Sequence, residues 1–138
     1  MTDDPLTALI VDESTRIDRA RQLLASILKP YVEISSQSGE LSLLSAVFEL
    51  PPQDQILVVM CGRLAQKLLN KLPDGQDEKI SQTEVMNLLP AIPDGTIKSS
   101  LKKLREENLI MNEDRKNFIS LGHLVKIQKR LSVVGGIT

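Results

Sequence analysis

The residues best suited to chemistry lie between Thr96 and Lys116, where cationic and hydroxyl side chains recur at short spacing. Lysine, arginine and hydroxyl groups donate hydrogen bonds to anionic oxygens such as those of phosphate. At about 100° per residue, Ile97, Leu101 and Leu104 fall on one face of a helix. This spacing predicts that the opposite surface is short-chained, hydroxylated and basic. The residues expected on that surface or on its flank are Thr96, Lys98, Ser99, Ser100, Lys102, Lys103 and Glu106.

A short helix is predicted just before this segment. Ser81 stands three residues before Glu84, the capping-box spacing in which each side chain bonds a backbone N–H of the other residue. Because proline disfavours helical geometry in the preceding residue, Pro90 predicts that the helix stops by Leu89. The residues expected on its buried face are Val85, Leu88 and Leu89.

A second helix and a hairpin complete the pattern. The helix is predicted over residues 95–107, with Asp94 as its cap, and is expected to end at Asn108, since asparagine tolerates left-handed geometry. Strands are predicted over residues 109–111 and 118–121, joined by a polar turn. That turn, residues 112–117, carries Arg115 and Lys116.

The run GTIKSSLKKLREENLI resembles the recognition helix and wing entry of winged helix-turn-helix DNA-binding proteins of the small prokaryotic transcription-regulator type. The resemblance implies a mainly α fold with a small β-hairpin wing. It also implies a DNA-binding transcriptional regulator or accessory factor, with the helix in the major groove and the wing on the backbone. The positions implied to contact double-stranded DNA are Thr96, Lys98, Ser99, Lys102 and Lys103 on the helix and Arg115 and Lys116 at the wing tip.

Residues 1–50 are predicted to form an amino-terminal helix and hairpin extension to a winged-helix domain over residues 51–138. An amphipathic helix is expected from Ser14 to just before Pro30. If it starts at Pro5 instead, positions 6, 10, 17, 20, 24 and 27 follow a heptad-like seam, which favours a homodimer. Packing of this helix on its own domain is the alternative, and residues 6–11 fit helix and strand equally well.

The remaining elements follow from alternation, periodicity and proline breaks. A hairpin is predicted over residues 31–43, a short helix over 44–50, a longer helix over 53–71 and a last helix over 122–131. The tail, residues 132–138, is expected to be loose. The predicted buried face of the 53–71 helix consists of Ile56, Val59, Met60, Leu64, Leu68 and Leu72.

The charge is distributed unevenly along the chain. Residues 1–80 hold eight basic and twelve acidic side chains, whereas residues 81–138 hold nine basic and six acidic ones. A basic carboxyl half beside an acidic amino half favours nucleic-acid binding through the carboxyl half. The modest excess leaves a second hypothesis open, in which the domain is a protein-interaction module within a larger assembly.

Cys61 is the only cysteine and His123 the only histidine, so one chain cannot form an internal disulfide, a thiolate cluster or a His-based metal site. Cys61 lies in an apolar run and is expected to be buried, whereas His123 is expected to be a surface or capping residue. The sequence has neither a glycine-rich phosphate loop nor a carboxylate pair placed for acid-base work. We therefore predict a protein that is not an enzyme and has no cofactor or metal.

The longest uninterrupted apolar run, residues 56–61, is far shorter than the about 20 residues that a membrane helix needs. No charged-then-apolar leader opens the sequence, so we predict a cytoplasmic protein without a membrane partner. A phosphorylation receiver domain is a rival topology for residues 6–61. It is disfavoured because the strand that should end in a phosphorylatable aspartate ends in Met60 and Cys61.

Overall fold

The computed structural model describes residues 4–135, with side chains described as far as Ser132. This part of the chain is mainly helical and carries two small antiparallel sheets, which confirms the predicted mainly α composition with small hairpins. The helices are Glu13–Leu28 (α1), Pro52–Leu68 (α2), Gln82–Leu88 (α3), Asp94–Glu106 (α4) and Leu124–Gly135 (α5). The strands are Val32–Ile34 (β1), Leu41–Leu43 (β2), Ile80–Ser81 (β3), Met111–Glu113 (β4) and Lys116–Phe118 (β5).

Helix α2 is the centre of the core. The predicted burial of Ile56, Val59, Met60 and Leu64 is confirmed, but it is not limited to one face, because every residue from Asp54 to Leu64 is buried. The helix ends at Leu68, so the predicted end at residue 71 is too late and Leu72 lies beyond it. Helices α1 and α4 and strand β2 all pack against α2, so it has no solvent face along this length. Its buried amides are satisfied by backbone carbonyls, since Gln55 donates to Leu50 and Gln66 donates to Gly39.

Helix α1 packs on its own chain, which is one of the two arrangements predicted for it. It begins at Glu13, is capped by Asp12, and buries Ala20, Leu24, Ile27 and Leu28 against α2 and α5. The alternative helix from Pro5 is wrong, because residues 5–9 form a separate 3-10 turn without a buried residue. The heptad-like seam is therefore interrupted before α1 begins.

The other corrections concern element ends and the rival topology. Helix α5 continues to Gly135, so the expected loose tail is wrong for residues 132–135, and residues 136–138 lie outside the described part. The receiver topology is also wrong: residues 6–11 form no strand, and residues 56–61 lie inside α2.

The carboxyl part consists of α3, α4 and a three-stranded sheet in the order β3-β5-β4. In the second hairpin, β4–β5, Glu113 pairs with Lys116, so the turn contains only Asp114 and Arg115. The predicted polar turn over residues 112–117 is therefore too long, and the predicted strands lie too far from the tip. Both central residues have positive φ, as a type I′ turn requires.

Candidate nucleic-acid interface

Helix α3 is held at its amino-terminal end by a short chain of polar contacts. The predicted capping box is confirmed, since the Glu84 N–H donates to Ser81 Oγ at 3.1 Å and the Ser81 N–H donates to Glu84 Oε1 at 3.3 Å. Arg63 of α2, itself buried, pairs with Glu84 Oε2 at 3.2 Å and donates to the Asp77 carbonyl at 3.0 Å. These bonds fix α3 against α2 and so fix the start of the turn that leads to α4.

Two details of α3 and its neighbour differ from the sequence prediction. Leu88 was expected on the buried face but is 40% exposed, because the helix ends at this residue and the turn leads the chain away. Asp94 was expected to cap α4, but Pro93 holds the N-cap position and no side chain caps the helix. Asp94 lies in the first turn instead, where its charge favours the helix dipole.

Helix α4 buries a wider arc than the periodicity predicted. Ile97, Leu101 and Leu104 are fully buried, as expected. Ser100 was expected on the outer surface and is buried, because α4 packs against both α2 and α3. The helix ends as predicted, with Asn108 at a φ of 58°.

The outer surface of α4 presents four of the predicted contact residues together. We call these exposed residues the basic face: Lys98, Ser99, Lys102 and Lys103. The fifth residue, Thr96, is half-buried, and its carbonyl accepts a hydrogen bond from the Ser99 hydroxyl at 3.2 Å. The ion pairs formed by the described residues do not include any of the three lysines. Their charges are therefore available to an anionic ligand.

The two predicted wing-tip residues have different environments. Arg115 is exposed at the turn with a φ of 65°, and the ion pairs of the described chain leave it unpaired. Lys116 is half-buried, and its Nζ lies 3.8 Å from Asp77 Oδ2. Arg115 is therefore the stronger candidate for contact with an anion.

A buried amide that sequence reasoning missed joins the second hairpin to α4. The Asn117 side chain is 1% exposed, and its Nδ2 donates to the Ile80 carbonyl at 3.3 Å. Its Oδ1 accepts from Arg105 Nη1 at 3.2 Å and from Asn112 Nδ2 at 3.1 Å. The two-residue turn at 114–115 pairs Asn112 with Asn117. The predicted six-residue turn placed both asparagines in a loop, so it gave no sign of this pairing.

The only cysteine and the only histidine of the chain both have structural roles. Cys61 is buried, as predicted, and burial raises the pKa of its thiol to about 12, which leaves almost no reactive thiolate at neutral pH. His123 is a capping residue, since its Nδ1 lies 3.2 Å from the Ser120 N–H. Its pKa is lowered by partial burial and, to a smaller extent, by Lys126. Within the described residues, no three His, Cys, Asp or Glu side chains are grouped to hold a metal ion.

Comparison with family models, with curated proteins and with solved structures gave no match for this chain. None of the helices in residues 4–135 combines the length and the apolar character needed to cross a membrane. The chemistry of the exposed residues must therefore carry any functional assignment.

Proposed function

We propose that residues 51–138 are a winged helix-turn-helix domain that binds double-stranded DNA, and that the protein is a transcriptional regulator or accessory factor. The observation that carries this proposal is the basic face of α4, on which three lysines have no ion-pair partner among the described residues. In this assignment α3, the turn and α4 form the helix-turn-helix, and the second hairpin is the wing.

The side chains on α4 suit a DNA groove. The major groove, about 12 Å wide, admits an α-helix, and lysine donates both to phosphates and to the acceptor edge of guanine. Ser99 and Thr96 are short, so they allow the helix backbone to approach the bases closely. Lys98, Lys102 and Lys103 then bind phosphates or base edges on either side.

The wing supplies the second contact. Arg115 lies at its tip and is exposed, so its guanidinium can bind a phosphate in a bidentate manner. The hydrogen bond from Arg105 to Asn117 holds this hairpin at the end of α4. Helix and wing would therefore meet the duplex as one rigid unit.

A specific observation favours a second candidate, a winged-helix protein-interaction module that does not bind DNA. Residues 94–118 hold six basic and five acidic side chains, so the net charge of this segment is small. Met111 of β4, in the same segment, is 47% exposed. A mixed, partly apolar surface of this kind is typical of a protein contact.

The first experiment measures fluorescence anisotropy of labelled double-stranded DNA with the purified protein at two salt concentrations. We expect salt-sensitive binding, because each neutralised phosphate adds about 0.9 to the slope of log affinity against log salt. Lys102→Ala with Lys103→Ala should weaken binding to all sequences about tenfold and reduce that slope by about 2.

The matched control is Arg16→Ala with Arg19→Ala, which removes two exposed cations from α1 and should leave binding nearly unchanged. Equal losses in both double variants would contradict a specific role for the basic face. Absence of binding at low salt, from a protein with a normal helical circular dichroism spectrum, would favour the interaction module. The expectations of a homodimer, of no enzymatic activity and of no cofactor stay predictions.

A further inference from the structure

An apolar segment precedes α1 and contributes no buried residue to the core. We call residues 5–11 the apolar arm; Leu6, Leu9 and Ile10 are 65%, 75% and 78% exposed. The arm is nevertheless ordered at both ends by aspartate caps. Asp4 Oδ1 accepts from the Leu6 N–H at 2.9 Å, and Asp12 Oδ1 accepts from the Ser14 N–H at 3.0 Å. Large aliphatic side chains held in water in this way are characteristic of an interaction segment.

An apolar groove lies elsewhere on the same chain, between the carboxyl-terminal half of α1, strand β1 and the end of α2. Its volume is about 370 Å³, which suits a few aliphatic side chains. Its apolar lining includes Leu24, Leu28, Val32, Ile34 and Leu68.

The charges around the arm and the groove are complementary. Residues 1–13 hold four acidic and no basic side chains, and the acids stand on both sides of the apolar arm. The groove is lined by two cations, Arg21 and Lys29, and by no acid. Arg21 is held in place by donating to the Leu68 carbonyl at 2.7 Å. An apolar segment flanked by acids therefore matches an apolar groove flanked by bases.

We propose that the apolar arm of one copy of this chain docks into the apolar groove of a second copy, and that the exchange is reciprocal. Each chain carries an arm and a groove. In two copies related by a twofold axis, each arm fills the partner's groove, so neither an arm nor a groove is left for a third copy. This interface does not require a continuous heptad-like seam. Ala20 and Ile27 of that seam are buried inside the chain, whereas Leu6 and Ile10 lie in the arm and Leu24 lines the groove. It does not depend on the proposed DNA binding.

The position of the arm favours a second copy over its own groove. The arm leaves the amino-terminal end of α1, whereas Arg21 lies in its carboxyl-terminal half and Lys29 is its C-cap residue. To enter its own groove, the arm would have to reverse direction at Asp12, which caps α1 through both the N–H and the hydroxyl of Ser14. Docking into a second copy leaves this cap intact.

The test mixes two single-substitution proteins, Leu9→Cys and Ala25→Cys, without DNA and under mild oxidation. Both positions are exposed, Ala25 lines the groove, and the buried Cys61 thiol does not compete because its pKa is raised to about 12. We expect a disulfide-linked heterodimer in preference to either homodimer. As the matched control, Leu9→Cys is mixed with Glu106→Cys, an exposed site on α4, and should give no such preference.

Size-exclusion light scattering provides the second measurement. The unmodified chain should be a dimer, and Leu9→Asp with Ile10→Asp should be a monomer with unchanged helical content. Three results would overturn the proposal: a monomeric unmodified chain, a dimer that persists in the Leu9→Asp/Ile10→Asp variant, or heterodimers formed equally with Glu106→Cys. A disulfide within one chain of the Leu9→Cys/Ala25→Cys double variant would also overturn it, because the arm would then occupy its own groove.

Discussion

The two hairpins of this chain have the same strand length and opposite surroundings. The first hairpin, β1–β2, pairs three residues with three, and its apolar side chains are half-buried against the core. The second hairpin pairs β4 with β5, and all three residues of β4 are exposed. Both strands of the first hairpin therefore pack on the core, whereas in the second hairpin β5 is partly buried and β4 lies on the surface.

The residues at positive φ show how this difference affects the choice of side chain. In the first hairpin, Gly39 has a φ of 76°, and a Cβ there would lie 1.8 Å from the Lys71 carbonyl oxygen, so only glycine fits. In the second hairpin, Asp114 and Arg115 occupy the same region of φ without being glycine. A non-glycine residue there costs about 1 kcal/mol. Packing dictates the residue in the first case, whereas in the second the open turn accommodates an arginine at an energetic cost.

The largest expected effect breaks the first hairpin. Gly39→Ala should lower the free energy of unfolding by about 3 kcal/mol, because left-handed strain and a clash with backbone act together. The matched control is Gly75→Ala, at a φ of 84° with no atom within 4 Å of the added Cβ, which should cost only about 1 kcal/mol. Urea unfolding midpoints measure both. Equal losses of unfolding free energy in the two variants would mean that the clash with the Lys71 carbonyl does not add to the destabilisation.

The next effect concerns the attachment of the second hairpin. Asn117→Ala should destabilise the protein by about 2 kcal/mol, since it leaves the Ile80 carbonyl and the Arg105 guanidinium without a buried partner. Asn112→Ala removes one donor at an exposed residue and should cost under about 1 kcal/mol. Thermal and urea unfolding compare the two, and similar small losses would show that the hairpin is not held through Asn117.

Arg115→Gly should separate stability from binding. It produces an Asp-Gly pair, which is preferred in two-residue hairpin turns, so the free energy of unfolding should rise by up to about 1 kcal/mol. If the proposed function is right, DNA affinity should fall severalfold at low salt. Anisotropy and urea unfolding on the same preparation test this. Unchanged affinity would remove the wing tip from the DNA contact, and a loss of stability would contradict the strain argument.

The smallest effect is a pH dependence at the start of α5. The pKa of His123 is lowered in the fold, first by partial burial, from an ordinary value of 6.5, so the unfolded chain binds more protons. This contribution to stability is fully present above the unfolded pKa, and it is lost as pH falls from that value through the lower pKa of the folded state. His123→Gln keeps a capping-box side chain and should flatten urea midpoints between pH 7.5 and 5. If the pH profile of the His123→Gln variant matches that of the unmodified chain, the pH dependence of stability arises from other groups.

The sequence by itself determined the local structure of the candidate interface. The capping box of Ser81 and Glu84, the three buried aliphatic residues of α4 and the left-handed Asn108 are properties of neighbouring residues, and each was predictable from spacing or residue type. The exposure of Lys98 and Lys102 follows from the same helical period.

Only the tertiary structure decided the rest, because it depends on residues distant in sequence. Helix α2 is buried all round since its neighbours come from both ends of the chain, and one-faced periodicity cannot report that. The two-residue turn of the second hairpin follows from the register of β4 with β5. Strand β5 also pairs with β3, a strand more than thirty residues earlier, which the local sequence pattern does not report. By pattern alone, residues 6–11 fit helix and strand equally. Their exposure depends on the tertiary structure, because α1, α2 and α5 pack together without burying them.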